Sequence, residues 1–234
     1  MKICYIILTC EKYIPTRVEW QLSSFFQNID KKNVYYLSCK NSREYIYGWN
    51  TDDSYEGCPI KYIEFFRNMI LDYDWYVFID DDTFINTKKL EKFVMNFNPS
   101  LSFYMGCFTN DKEFGLEYRK AYSNDKGNYI KYNNEHHNFY SCSGGAGIIM
   151  SNNIYKQLID YVRNTPIENL YFNHNGDVTL AHWVTKLNDI NYIQVNTLYT
   201  DKHKNQEELQ NFISFHYLKT QEDFEYYNNI TKNI

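Results

Sequence analysis

The sequence predicts an α/β protein whose sheet is covered by helices on both faces. Three features carry that expectation. Runs such as ICYIIL and WYVFI are apolar on consecutive residues, as strands buried on both sides must be. The segments between such runs place their apolar residues at helical spacing. Strand and helix then alternate along the chain with no linker, low-complexity tract or internal repeat, so residues 1–234 are expected to form one domain.

Taken in order, residues 2–10 (KICYIILTC) read as a first buried strand, rich in β-branched and apolar side chains. Residues 16–29 read as a helix through Val18, Leu22, Phe25 and Phe26. NVYYLS (33–38) is a second strand, and the polar stretch 40–58 a loop. Tyr62, Phe65, Phe66 and Met69 mark a helix over 61–71, and WYVFI (75–79) the next strand. Leu90, Phe93, Val94 and Phe97 mark another helix, and LSFYMGCF (101–108) a strand. Polar residues 109–137 read as a functional surface loop. GGAGIIM (144–150) is read as strand, with Ser151 capping a helix through Ile154, Leu158, Ile159 and Val162. A helix over 177–187 and strands at NYIQV and FISFHY complete the pattern.

A net charge of −5 excludes a nucleic-acid role, because no basic patch is present to meet phosphates. It also means that an anionic ligand needs a mediating cation. No apolar stretch approaches the roughly 18–20 residues of a membrane span. The start lacks the cleavage site of a signal peptide. The six scattered cysteines contain no CxxC pair and suit buried thiols in a reducing compartment. A soluble, cytoplasmic protein is expected, with the secretory lumen the alternative if the sequence is part of a longer chain. The aromatic fraction of 19% is high, but a bias toward Tyr, Asn, Lys and Ile also follows from AT-rich codons and identifies no activity.

The informative stretch is WYVFIDDDTFI (75–85), an apolar run ending in Asp80, Asp81 and Asp82. In α/β sheets ligands bind beyond the carboxyl ends of strands, where these residues fall. In extended chain Asp80 and Asp82 face the same way, roughly 6–7 Å apart. A solvated acidic turn is one reading. A site for a hard divalent cation is the other, favoured by placement directly after a buried strand.

DWYVFIDDDTFI (74–85) resembles the DxD region of Fringe-like β-1,3-glycosyltransferases, the group that includes core-1-type galactosyltransferases. YMG (104–106), YSCSGGAGIIMS (140–151), NGDVTLAHW (175–183) and ISFHY (213–217) resemble further motifs of that family, in the family's order. The resemblance implies a GT-A-type, Rossmann-like fold with a mixed central sheet flanked by helices. It also implies a nucleotide-sugar-binding part over about 1–108 and an acceptor-binding part over about 109–234. Gly176 and Ala181 depart from the family pattern, and the membrane anchor and stem of Golgi relatives are not seen, which leaves compartment and acceptor open.

By the same resemblance, Asp82 and His216 are metal ligands, Asp80 approaches the nucleotide ribose, and Asp81 supports the turn. Taken alone, a histidine in ISFHY is more simply a core or surface strand residue. Imidazole among oxygen donors favours Mn²⁺, with Mg²⁺ the alternative. Lys61 stands where it would neutralise a leaving diphosphate, or else is a solvated residue at a helix start. Thr9 and Arg17 lie where relatives approach the nucleotide. Asp177 by position alone is a helix N-cap; the resemblance makes it the general base of an inverting transfer. Gly144 and Gly145 would let backbone amides approach a sugar, or serve tight strand–helix packing. Glu135, His136 and His137 are read as solvated loop with room for acceptor contact, and the tyrosines of 118–140 as suited to stacking on sugars.

The expected activity is transfer of GlcNAc or galactose from a UDP-sugar to a hydroxyl of a glycan or glycoprotein, through a β-1,3 linkage. A non-catalytic nucleotide- or carbohydrate-binding module is the alternative. A calcium-binding structural protein is disfavoured by the absence of a calcium-loop glycine.

Overall fold

The structure, a computed structural model, describes residues 1–109, 122–123, 129–130, 141–171, 175–202 and 205–232. Its strands are β1 (Ile3–Leu8), β2 (Val34–Ser38), β3 (Ile46–Gly48), β4 (Trp75–Asp80), β5 (Phe84–Ile85), β6 (Phe103–Gly106) and β7 (Phe108–Thr109) in the first half. The second half carries β8 (Tyr122–Ser123), β9 (Tyr129–Ile130), β10 (Ser141–Cys142), β11 (Ile148–Ser151), β12 (Asn191–Gln194), β13 (Leu198–Tyr199) and β14 (Ser214–Phe215). The α-helices are α1 (Glu19–Ser23), α2 (Cys58–Asn68), α3 (Thr87–Val94), α4 (Asn152–Asn164), α5 (Gly176–Val184), α6 (Gln206–Asn211) and α7 (Gln221–Lys232).

A seven-stranded sheet in the order β12-β6-β11-β4-β1-β2-β3 forms the centre. It is mixed. β1 pairs in parallel with β2 and β4, whereas β11 runs antiparallel to both β4 and β6. Alternation along β1 divides the core in two: Cys4, Ile6 and Leu8 pack with α2, α4 and α5, while Tyr5 and Ile7 pack with α3, α7 and the segment around α1. Both faces are therefore apolar, which is why these strands read as continuous hydrophobic runs.

From β1 the chain builds outward through β2 and β3, then returns to place β4 on the other side of β1. At such a switch point the connections leave in opposite directions, and a crevice opens beyond the strand ends. Leu8 and Asp80 are register partners at that end. A second, three-stranded sheet, β13-β14-β5, stands beside it. β5 follows the aspartates directly and pairs antiparallel with β14, Phe215 opposite Phe84. This register carries His216 back to the aspartates.

Several expectations shift in detail. The 40–58 stretch is not all loop, since β3 pairs with β2; a three-residue edge strand is too short to show a period. The helix expected over 16–29 is a π-helical turn at Ile14–Val18 followed by the short α1. Ser23 and Ser24 donate their hydroxyls back to the carbonyls of Glu19 and Trp20, and the helix ends there. The helix expected over 61–71 is α2, three residues earlier, with Pro59 in its first turn. Residues 144–147 form a turn and the strand begins at Ile148; Gly147, at φ +111°, has a backbone that glycine alone adopts freely. Ser151 does occupy the N-cap of α4, but its hydroxyl accepts the Phe103 amide at 2.9 Å instead of capping. The expected loop contacts at Glu135, His136 and His137, and most of the tyrosine-rich 118–140 segment, lie outside the described residues.

Candidate active site

The sequence singles out ten residues, and the fold gathers them at the carboxyl ends of β1 and β4. A cavity of about 490 Å³ there is lined by Thr9, Arg17, Lys61, Asp80, Asp81, Asp82 and His216, among others. The remaining three, Gly144, Gly145 and Asp177, join through the turn before β11. Gly144 donates its amide to Asp177 at 2.9 Å, and the next residue, Gly145, backs onto the His216 ring.

The three aspartates divide their work. Asp81 is structural: it accepts from the Thr9 hydroxyl at 2.8 Å and the Arg17 guanidinium at 2.7 Å. Asp82 is paired with His216 Nε2 at 3.0 Å and with Lys219, and Arg17 lies 3.6 Å from it. Burial would raise the Asp82 carboxyl, but the His216 and Lys219 interactions outweigh it and hold the group down at about 2. Asp80 is pushed up to about 7 by desolvation, with Asp82 and Asp177 adding like charge and His216 opposing. Main-chain carbonyls of Asp80 and Thr83 are tied by one buried amide, Gln21 Nε2, at 3.1 and 3.0 Å.

Which ring nitrogen of His216 faces the carboxylates follows from its other neighbour. Nδ1 lies 3.2 Å from the Thr200 carbonyl, and a carbonyl can only accept, so Nδ1 carries a proton. Nε2 then points at Asp82 and lies 3.8 Å from Asp80. One ligand atom from each of Asp80, Asp82 and His216 falls within 4.8 Å of the others. Two carboxylates and an oriented imidazole fit a divalent cation. Asp80, expected beside the ribose, thus also stands in the donor set.

Lys61 is almost wholly buried, not a solvated helix-start residue; its ammonium donates to the Thr9 carbonyl at 2.7 Å and to Asp53 at 2.8 Å. Asp177 sits in the first turn of α5, whose N-cap is Asn175, so it is not the cap. Its second oxygen accepts the Val178 amide at 2.8 Å. For the glycines, space explains more than sugar approach. A Cβ on Gly145 would lie 2.1 Å from His216 Cε1, and one on Gly144 would lie 3.0 Å from Asp177 Cβ.

Sequence reasoning missed Gln21, Asp53, Tyr55, Tyr217 and Lys219. Lys219 had a usable signal, a cation three residues beyond the motif histidine. Gln21 had none, because the carbonyls it binds lie 59 and 62 residues away in the chain; Asp53 is only eight residues from Lys61 but sits in a polar stretch where one more carboxylate does not stand out.

A Fringe-like family profile matches residues 2–233. The chain belongs to the Fringe-like family. No curated protein matches it by sequence. Among solved structures, the galactosyltransferase LgtC, solved in complex with donor and acceptor sugar analogues, aligns over 100% of this Fringe-like chain and 96% of its own, with 8% identity and a TM-score of 0.50. A glycosyltransferase involved in glycosylating the major capsid of PBCV-1 aligns over 96% and 98%, with 12% identity and a TM-score of 0.45. The bifunctional glycosyltransferase WbbM aligns with 99% of this chain at 13% identity and a TM-score of 0.46; the chain spans 51% of its length. By family this protein is a glycosyltransferase, and its mixed seven-stranded sheet is a GT-A fold. No helix among the described residues is long and apolar enough to cross a membrane.

Proposed function

We propose that this protein is a metal-dependent, inverting glycosyltransferase. It takes GlcNAc or galactose from a UDP-sugar and places it on a hydroxyl of a glycan or glycosylated protein, through a β-1,3 linkage. One observation carries the reading: Asp80, Asp82 and His216 converge at the switch-point cavity, and the Gly144–Gly145 turn links His216 to Asp177.

Asp82 and His216, with Asp80 beside them, would hold Mn²⁺ or, in its place, Mg²⁺; the ion supplies positive charge to a departing diphosphate. Thr9 and Arg17 form the nucleotide wall, their side chains fixed through Asp81. Lys61 adds a buried positive charge to that wall, its place set by Asp53 and the Thr9 carbonyl. Asp177 takes the proton from the acceptor hydroxyl as it attacks the anomeric carbon, on the face opposite the breaking bond to the diphosphate. The Gly144 amide holds that carboxylate in place. Residues 1–108 make the donor part, completed by His216 from the acceptor part over 109–234.

A thermal-shift screen of UDP-sugars with and without Mn²⁺ tests the donor half of the reading. UDP must stabilise the protein more with Mn²⁺ than with chelator, and Asp82→Ala must remove the difference; equal stabilisation with chelator excludes the metal role. Asp177→Asn tests the base. It should abolish transfer and spare UDP–Mn²⁺ binding, whereas surviving transfer would move the base elsewhere.

A further inference from the structure

We propose that the protein carries a second small-molecule site, apart from the aspartate–His216 cavity, and that it takes a sugar phosphate. The site is a cavity of about 410 Å³ between α3, α7 and the amino-terminal half of β1. It shares no lining residue with the cavity at the carboxyl ends of β1 and β4, so it stands independently of the transferase reading.

Two polar side chains belong to its buried floor. Tyr5 is 3% exposed, and its hydroxyl has no hydrogen-bond partner among the described residues. That hydroxyl is not sealed in the core, as the one on Tyr36 is, so the little surface Tyr5 keeps is turned to the cavity. Burial first, and then the charge of Glu91, push the phenol up, so the group stays protonated and can donate. Asn86 is 6% exposed and caps α3: its Oδ1 accepts the Lys89 amide at 3.1 Å, which leaves its side-chain NH₂ without a protein acceptor. Buried donors are normally paired. Two unpaired ones beside a single cavity point to an occupant that brings oxygen acceptors.

Charge decides which acceptors fit. Lys2, Lys88 and Lys232 line the cavity against one carboxylate, Glu91, a local positive excess in a chain of net charge −5. Thr87 and Lys88, also in the lining, form the first turn of α3, whose N-terminal peptide dipoles favour an anion as well. A neutral sugar gains nothing from either field. Size argues against a lone inorganic ion, because the volume falls within the range of about 300–1,000 Å³ that holds organic ligands. Phe25 and Ile85 add apolar surface for a carbon body. A phosphate carried on a sugar meets all three conditions.

Isothermal titration calorimetry of the full chain tests the site, with glucose 1-phosphate, glucose 6-phosphate and ribose 5-phosphate as probes and chelator present. Inorganic phosphate and methyl glucoside are the controls. At least one sugar phosphate should bind about tenfold more tightly than either control. Tyr5→Phe removes the hydroxyl and keeps the ring on Phe26, where the centroids are 4.9 Å apart. Lys88→Gln removes an exposed charge that the fold does not need. Each should weaken binding about three- to tenfold. Saturating UDP with Mn²⁺ should leave the sugar phosphate bound. Failure of all three probes to bind, equal binding of either control, unchanged affinity in both variants, or displacement by UDP would each overturn the proposal.

Discussion

Gly145 carries the sharpest constraint at the residue scale. Space, not backbone freedom, demands glycine there: an added Cβ would lie 2.1, 2.3 and 2.4 Å from three atoms of the His216 ring. The ring has little room to yield, because Nδ1 is bonded to Thr200 and Gly145 is itself held by the Thr83 hydroxyl at 2.6 Å. Gly145→Ala should therefore displace the imidazole and abolish the Mn²⁺-dependent part of the thermal shift with UDP. Overpacking of this kind costs about 1–3 kcal/mol. A far-UV spectrum matching the parent, with the metal response lost, is the expected result; an intact metal response would show that His216 is free to move.

Between elements, hydroxyl–carbonyl bonds tie the motifs together. Thr83, just past the aspartates, donates to the Gly145 carbonyl, and Ser214 of β14 donates to the carbonyl of Ala146. Thr83→Val keeps the shape and orphans a buried acceptor, which should lower stability by about 1–3 kcal/mol in urea unfolding. Helix α7 is anchored similarly. Asp223 accepts the Lys219 amide at 2.9 Å, the Thr220 amide at 3.2 Å and the Lys202 ammonium at 2.6 Å. Burial would raise Asp223, but these donors outweigh it and the carboxyl is held below its ordinary value. A depressed carboxylate stabilises the fold above the unfolded value and stops doing so as acid protonates it. Asp223→Asn should thus cost about 1 kcal/mol at neutral pH, and the gap in melting temperature should close below pH 3.8.

Across the whole molecule, the fold brings acidic groups together against electrostatic preference. Asp80 is raised to about 7, first by desolvation and then by its acidic neighbours. A raised carboxyl keeps its proton in the folded state, so its contribution is full below the unfolded value of 3.8 and is lost as pH rises toward 7. Chelated protein should accordingly lose melting temperature across that window, and Asp80→Asn should flatten the slope. Added Mn²⁺ should restore stability above pH 7, where the carboxylate is free to bind it. A slope unchanged by Asp80→Asn would assign the repulsion elsewhere.

The layers of the fold were legible because burial leaves a local pattern. β1 and β4 show as unbroken apolar runs, and α3 and α4 as stripes, since each side chain's environment repeats with the geometry of its own element. The DDD tip was legible for a related reason: three like charges straight after a buried strand repel one another unless a cation joins them. β3 and β5 left no such trace, being three and two residues long. Nor did the service of Gly145 to His216 or the burial of Lys61 against Asp53. By itself the sequence determined most of the strands and helices and marked ten residues as candidates for one site. Tertiary structure alone decided how they meet, because the register of β5 on β14 and the crossover to β4 join residues far apart in the chain, a relation that no local periodicity encodes.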